Sequence, residues 1–394
     1  MVAFEPETQG PVGWRLSQAH HSQPALEARQ DQSNLKGDMM SNAITLEDGL
    51  NRGRHNNMDI LRLVAAMAVV VSHAWPLALG PGTPEPLEAL IGLSLGKVAV
   101  FVFFFLSGML VSASADRNMG SRVTFLKARV FRIFPGLAVA LVVTAGLAQA
   151  FGANAGLSEL ATYVLRGLSL VSLQHTIGMA FADAPYPLAV NGPLWTLFYE
   201  VLCYAIVASA IWSGLLGKVW GWGLLVAAAG GLWMAFGVLD AATANPISYR
   251  LSVLAPLLLT FVMGAVFWRL RRRIVLHWGI GVLLMVPAIL LVGHAMFLPA
   301  FVLALGYGLC LVSFRLPTVA LKGDISYGIY IYGWPVSQCL VALLAPMSPL
   351  ALAVLSLGAV LPFACLSWVL IEKPSLALLR KPAIIQKART AVSG

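Results

Sequence analysis

Charge is what this sequence has least of. Only 11% of its 394 residues are charged, less than half the roughly 25% of a soluble domain, and that excludes an ordinary water-soluble globule. No stretch of residues 1–57 has the apolar core of a secretory signal peptide, so the first spanning helix is expected to act as an uncleaved anchor. Cysteine is scarce as well. Cys203, Cys310, Cys339 and Cys365 lie far apart within apolar segments. They have neither CxxC nor metal-ligand spacing, which argues against a metal or redox centre and for plain helix packing. The apolar runs also lack the alternation of a membrane β-barrel. Leu63 to Val71 is continuous, which leaves helices as the spanning element.

Hydrophobic residues make up 59% of the chain, and they recur in runs long enough to cross the roughly 30 Å hydrocarbon core as helices. Spans are predicted near 60–79, 95–114, 135–152, 192–212, 219–238, 250–268, 274–292, 297–314, 325–344 and 350–371. The expected fold is therefore all-α, a polytopic transmembrane helix bundle of about ten spanning helices. Residues 1–57 are polar and without hydrophobic period, and they read as a disordered extension. Residues 58–375 form the membrane domain and 376–394 a tail.

The charges that exist are segregated. Counting connections in turn, one side receives Arg52, Arg54, Arg117, Arg122, Lys127, Arg129, Arg132, Lys218, Arg269, Arg271, Arg272, Arg273, Arg315, Lys322, Lys373, Arg380 and Lys381, and the other little more than Lys97, Arg166 and Arg250. The positive-inside rule places both termini in the cytoplasm. Topology then accounts for most of the net charge of +9, so no nucleic-acid partner is implied. The long outer segment 153–191 holds an amphipathic stretch, Leu157 to Leu173, expected to lie at the interface.

Ionisable groups deep in lipid are costly and point to function. His73 lies 13 residues past Ile60, roughly 20 Å from the cytoplasmic face at 1.5 Å per residue. Glu200, on a helix entering from outside near Gly192, sits roughly 18 Å from that face. Shared depth on two helices is what an acid/base site needs. A hydrogen-bonded packing histidine is the plain alternative. Arg62 stands 11 residues before His73, about 20° off the same helix face and roughly 16 Å lower, so both can line one groove. The plain alternative there is a snorkelling arginine. Arg129 and Arg132 share a face of a short helix before Pro135, where paired guanidiniums suit phosphate and equally serve as membrane anchors. Tyr327, Tyr330 and Trp334 form one aromatic stripe, and Trp195 and Tyr199 belong to a second. Such stripes are core by default and cavity walls otherwise.

Six patterns in sequence order resemble the acyltransferase-3 family, membrane enzymes that O-acylate bacterial polysaccharides, Nod factors and macrolides. They are the Arg62 to His73 spacing, VFFFLSG at 102–108, Arg129 with Arg132, PLWTLFYE at 193–200, SYGIYIYGWPV at 326–336 and IEKP at 371–374. At one position where the family often carries a histidine, this chain has Gly333. The resemblance implies a protein of the bacterial cytoplasmic membrane that uses acyl-CoA, acetyl-CoA foremost, as donor and no metal. The acceptor is a hydroxyl of a glycan, lipid-linked sugar or glycoside. It implies His73 as general base with Glu200 assisting, Arg62, Arg129 and Arg132 along the donor path, and Trp195, Tyr199, Tyr327, Tyr330 and Trp334 as substrate contacts. The competing reading is a glycolipid transporter or flippase with His73 and Glu200 in a proton relay.

Overall fold

A computed structural model describes residues 44–53, 55–238 and 245–379. The chain divides into two units at residue 44, and the first lies almost wholly outside the described residues. The second, Thr45–Gly394, is a helical membrane-type bundle.

Its elements are α1 (Leu46–Asn51), α2 (Met58–Leu79), α3 (Pro86–Ile91), α4 (Leu95–Arg117), α5 (Arg122–Ala150), α6 (Leu157–Ser169), α7 (Trp195–Trp212) and α8 (Val219–Trp233). They continue as α9 (Pro246–Leu270), α10 (Trp278–Leu290), α11 (Phe297–Arg315), α12 (Ser326–Leu344), α13 (Pro349–Ser367) and α14 (Lys373–Leu378). Among the described residues nine helices are long and apolar enough to cross a membrane. The expected span 274–292 is the exception. Its helix, α10, has 13 residues and covers only about 20 Å. Two neighbours limit it. The chain on its N-terminal side is held by the Tyr307 hydroxyl, which donates to Val275 O at 2.6 Å and accepts from His277 N–H at 2.9 Å, and Gly293 turns at φ 83° just beyond its C-terminus.

One end of the bundle is pinned by long-range polar contacts. Asp116 at the end of α4 accepts from Trp268 Nε1 near the end of α9, 2.7 Å. Arg122 at the start of α5 donates to the Trp212 carbonyl at the end of α7, 3.2 Å. Asn57, before α2, donates to the Val312 carbonyl of α11 at 3.0 Å and accepts from Val319 N–H at 2.8 Å. Among the described residues the cations gather at this end, while Lys97, Arg166 and Arg250 stand toward the other.

Residues 45–53 depart from the disordered extension expected over 1–57. Thr45 and Asp48 form a capping box, which satisfies two orphan donors of a short helix. Leu46 is wholly buried, and a side chain on Gly49 would collide with the Phe314 ring at 2.6 Å. Glu47 pairs with Arg272 at 3.0 Å and Arg271 at 3.4 Å. Burial of Leu46 and these ion pairs dock a stretch whose composition alone reads as polar. Residues 1–43 and 54 of the expected extension, and residues 380–394 of the expected tail, lie outside the described residues.

A second departure concerns α5. Arg129 and Arg132 are not on a separate short helix; one 29-residue helix runs from Arg122 through Pro135 to Ala150. A proline inside a helix removes one N–H, a loss that neighbouring groups in a bundle accommodate. The amphipathic α6 is 13 residues, with Tyr163 and Gly167 buried.

The centre is α4, the most buried of the nine. It packs backbone to backbone on α9. A methyl on Gly108 would strike the Phe261 carbonyl, and one on Gly264 would strike the Phe105 carbonyl. Small residues permit such approach where lipid supplies no hydrophobic drive between helices. This contact positions Ser107, one residue before Gly108, toward the interior.

Candidate functional site

Two cavities lie along the bundle. The first, of about 110 Å³, opens among Arg62 of α2, Arg129 and Arg132 of α5, Glu200 of α7 and Tyr327 of α12. The second, of about 860 Å³, is bounded by His73, Glu85, Trp195 and Trp334 and by residues of the loop before α3. Val100, Thr196 and Tyr330 line both. At this junction the Thr196 and Tyr330 hydroxyls share a short hydrogen bond, and Tyr330 also reaches the Pro193 carbonyl at 2.9 Å.

The three arginines differ. Arg132 Nη2 meets Asp324 at 2.5 Å and its Nη1 stands 4.0 Å from Glu372. Asp324 in turn accepts from Ser326 Oγ at 2.5 Å, and Glu372 from Ser367 Oγ at 2.9 Å. Burial works to raise the Asp324 carboxyl, but the Arg132 and Arg62 cations and the Ser326 hydrogen bond outweigh it and hold it below its ordinary value. Arg132 thus ties α5 to the segment just before α12 and to the residue just before α14. Among the described residues Arg129 has no carboxylate partner at salt-bridge distance. Its Nη2 reaches Ser114 Oγ at 3.3 Å, its guanidinium lies 5.4 Å from the Phe125 ring and 5.8 Å from the Tyr204 ring, and its buried Nε has no partner. Arg62 meets Asp59, one turn before it, at 3.3 Å. The two guanidiniums expected to act as a pair both line the first cavity, Arg132 paired with Asp324 and Glu372 and Arg129 reaching Ser114.

Glu200 and His73 are not brought together. Glu200 Oε1 accepts from Ser107 Oγ at 3.0 Å and from the Tyr204 hydroxyl, one turn along α7. It belongs to the arginine cavity, and His73 to the other. Equal distance from one face, counted along two helices, did not amount to contact, because helix rotation decides which way each side chain points. Among the described residues His73 makes no hydrogen bond; its ring stands edge-on to Trp334 at 5.0 Å and 75°. Trp334 is itself held by its Nε1, which donates to Ala189 O at 3.0 Å, and by the Tyr186 ring at 5.2 Å. The imidazole lines the second cavity.

The α12 stripe threads the two cavities. Tyr327 lines the first, Tyr330 the junction and Trp334 the second, spread over about 10 Å of helix. Tyr327 also donates to the Ile133 carbonyl at 2.8 Å. On α7, Trp195 lines the second cavity. Tyr199 reaches neither and packs between Trp195 and Phe198 at 5.8 and 5.1 Å, so it is core. Gly333 faces α2, and a Cβ there would meet Val70 Cγ2 at 2.6 Å.

The residues not singled out from sequence are Ser107, Asp324, Glu372 and Glu85. Ser107 and Glu372 lie within the VFFFLSG and IEKP segments and Asp324 just before SYGIY, so a signal existed but carried no partner. Glu85 stood in a connecting loop. Its carboxyl accepts the Leu95 N–H and is 4% exposed as a residue. Burial raises it above its ordinary value and Glu88 adds to this, while a Ser72 hydrogen bond works against both.

A family model described as an acyltransferase domain matches residues 55–369. The chain is 30% identical over 368 residues to nodulation protein 10 of Rhizobium leguminosarum bv. viciae, covering 83% of this chain and 94% of the relative. It is 31% identical over 350 residues to an O-acetyl transferase of Shigella phage Sf6, covering 81% and 96%. Similarity to the exopolysaccharide production protein ExoZ of Rhizobium meliloti is 29% over 266 residues, covering 61% and 76%. No solved structure matches the chain.

Proposed function

This chain belongs to the acyltransferase-3 family, and on that premise we propose that it moves an acyl group, acetyl foremost, from acyl-CoA to a hydroxyl of a glycan or glycoside. The observation that carries the reading is the pair of cavities meeting at Val100, Thr196 and Tyr330, one cationic and one holding an unpartnered imidazole. CoA is a polyanion, and the arginine cavity offers it Arg129 and Arg62, with the orphan Nε of Arg129 a ready donor. The arginine end faces the cytoplasm in this reading, as the positive-inside rule requires. The thioester then reaches the junction, and the acceptor occupies the histidine cavity.

The chemistry balances without a further reactant. His73, neutral, takes the proton from the acceptor hydroxyl as its oxygen attacks the thioester carbonyl. The C–O bond forms, the tetrahedral intermediate collapses, and the C–S bond breaks. The departing thiolate receives the proton from the imidazolium, leaving ester, free CoA thiol and neutral His73. Glu200 stands apart from this transfer, with its carboxylate held by Ser107 and Tyr204 at the donor end. It acts in binding or in organising the arginine cavity rather than as a partner of His73. The names of two relatives, an O-acetyl transferase and an exopolysaccharide production protein, support acetyl as the group and a polysaccharide as the acceptor. No observation favours the transporter reading over this one.

The test is acceptor-dependent release of CoA thiol by the purified protein in detergent, with no gradient imposed. Release from acetyl-CoA that rises with added glycan supports the proposal. Release that never depends on a hydroxyl acceptor, across neutral and acidic glycans, retires it.

A further inference from the structure

The second cavity holds more than a base. Glu85 sits in its wall with its carboxyl accepting the Leu95 N–H, and as a residue it is nearly buried. Glu88 and Lys97 also line this cavity and pair with each other at 4.0 Å, so their charges offset. Trp195 and Tyr249 border it while remaining 39% and 64% exposed. This combination of an anchored carboxyl, aromatic faces left open and, among the described residues, no unpaired cation in the wall is the reverse of the arginine cavity.

We infer that the histidine cavity is a saccharide site for a sugar unit bearing no acidic group, with Glu85 accepting sugar hydroxyls and Trp195 and Tyr249 as its aromatic walls. The inference rests on reading this cavity as the acceptor side. The Glu85 carboxyl accepts from the Leu95 N–H and from Ser72, and of the roughly four acceptor sites of a carboxylate the remainder are open to hydroxyl donors. Aromatic rings supply amphipathic area against the apolar faces of a pyranose. A uronate, phosphate or sulfate brought beside Glu85 either meets like charge or forces a proton onto one partner, and both weaken binding. Discrimination thus comes from a repulsive element as well as from contacts. The opposite sign of the two cavities also keeps CoA phosphates at the arginine end.

The test uses a thiol introduced at the cavity mouth by Thr83→Cys, with Cys365→Ser removing the exposed native thiol. The rate of maleimide labelling is followed with maltotriose or with the matching trisaccharide of glucuronic acid. Maltotriose is expected to slow labelling by about threefold or more where the uronate does not. Glu85→Gln, which keeps an oxygen for the Leu95 N–H, is expected to weaken protection by maltotriose and narrow the difference between the sugars. Equal or stronger protection by the uronate, protection by neither, or protection unchanged in Glu85→Gln each overturns the inference. Protection by maltotriose in a protein that never turns over acyl-CoA leaves the sugar site standing and removes only the donor reading.

Discussion

The Thr196 and Tyr330 hydroxyls are hydrogen-bonded to each other where the arginine-lined and histidine-lined cavities meet. In the proposed function, an acyl group moving from the arginine cavity to His73 passes beside this pair. The junction is polar, built from two helices that are far apart in sequence, and further anchored by Tyr330 on the Pro193 carbonyl at 2.9 Å.

Tyr330→Phe keeps the ring and deletes both hydrogen bonds. A single hydrogen bond of this kind is worth about 0.5–1.5 kcal/mol, so a loss of alignment at the junction should lower kcat about tenfold while leaving the KM for acyl-CoA nearly unchanged. Steady-state kinetics on the purified variant checks this. A rise in KM with kcat intact would move Tyr330 into the donor-binding surface instead.

His73→Gln should leave folding and acyl-CoA binding near normal and lower turnover by about 10² or more, the usual worth of a general base. Glutamine can replace a hydrogen-bonding imidazole but takes up no proton near neutral pH. Retention of most transferase activity would return His73 to packing against Trp334.

Arg129→Gln and Arg132→Gln should separate. Losing Arg129 should raise the KM for acyl-CoA, and the effect should shrink for a donor lacking the nucleotide phosphates. Losing Arg132 strands the Asp324 and Glu372 carboxyls it bridges. Breaking a buried pair this way costs about 3–5 kcal/mol, so thermal stability should fall first. The Asp324 carboxyl is held below its ordinary value, so its contribution to stability is present above that ordinary value and is lost as pH falls through the lowered one. Melting curves at neutral and acidic pH should show the Arg132→Gln deficit shrinking in acid. A deficit that does not change with pH contradicts the ion-pair account.

Arg273→Cys and Ser158→Cys, each with Cys365→Ser, test the orientation that puts the donor side in the cytoplasm. A membrane-impermeant thiol reagent on intact cells should label the second variant and spare the first. The reverse pattern would turn the arginine cavity outward, away from cytoplasmic acyl-CoA.

Gly333→His restores the residue that the family resemblance leads one to expect. Since a Cβ there meets Val70 Cγ2 at 2.6 Å, this change should lower the Tm by itself, and Val70→Ala should recover part of the loss. Overpacking of a close helix contact typically costs about 1–3 kcal/mol. An unchanged Tm in the single variant would show that α2 and α12 separate more easily than their packing implies.

Spanning-length apolar helices, the helical class and the gathering of cations at one end were legible in the sequence. Each depends on local quantities, namely the length of an apolar run, the rise per residue and the order of charged connections. The stripe Tyr327, Tyr330 and Trp334 was legible as a stripe for the same reason, since helical period alone puts it on one face. What occupies that face is a tertiary matter. Only the packed bundle gave Glu200 to Ser107, 93 residues away, and matched Arg132 to Asp324, 192 residues away. Among the described residues it left Arg129, one turn before Arg132, without a carboxylate partner, and it put Glu85 of a connecting loop into the wall that holds His73. A sequence reports how deep a side chain lies on its own helix. Which way it turns, and what it meets, is set by close approaches such as Gly108 on Phe261 and Gly264 on Phe105, which exist only once the helices are in contact.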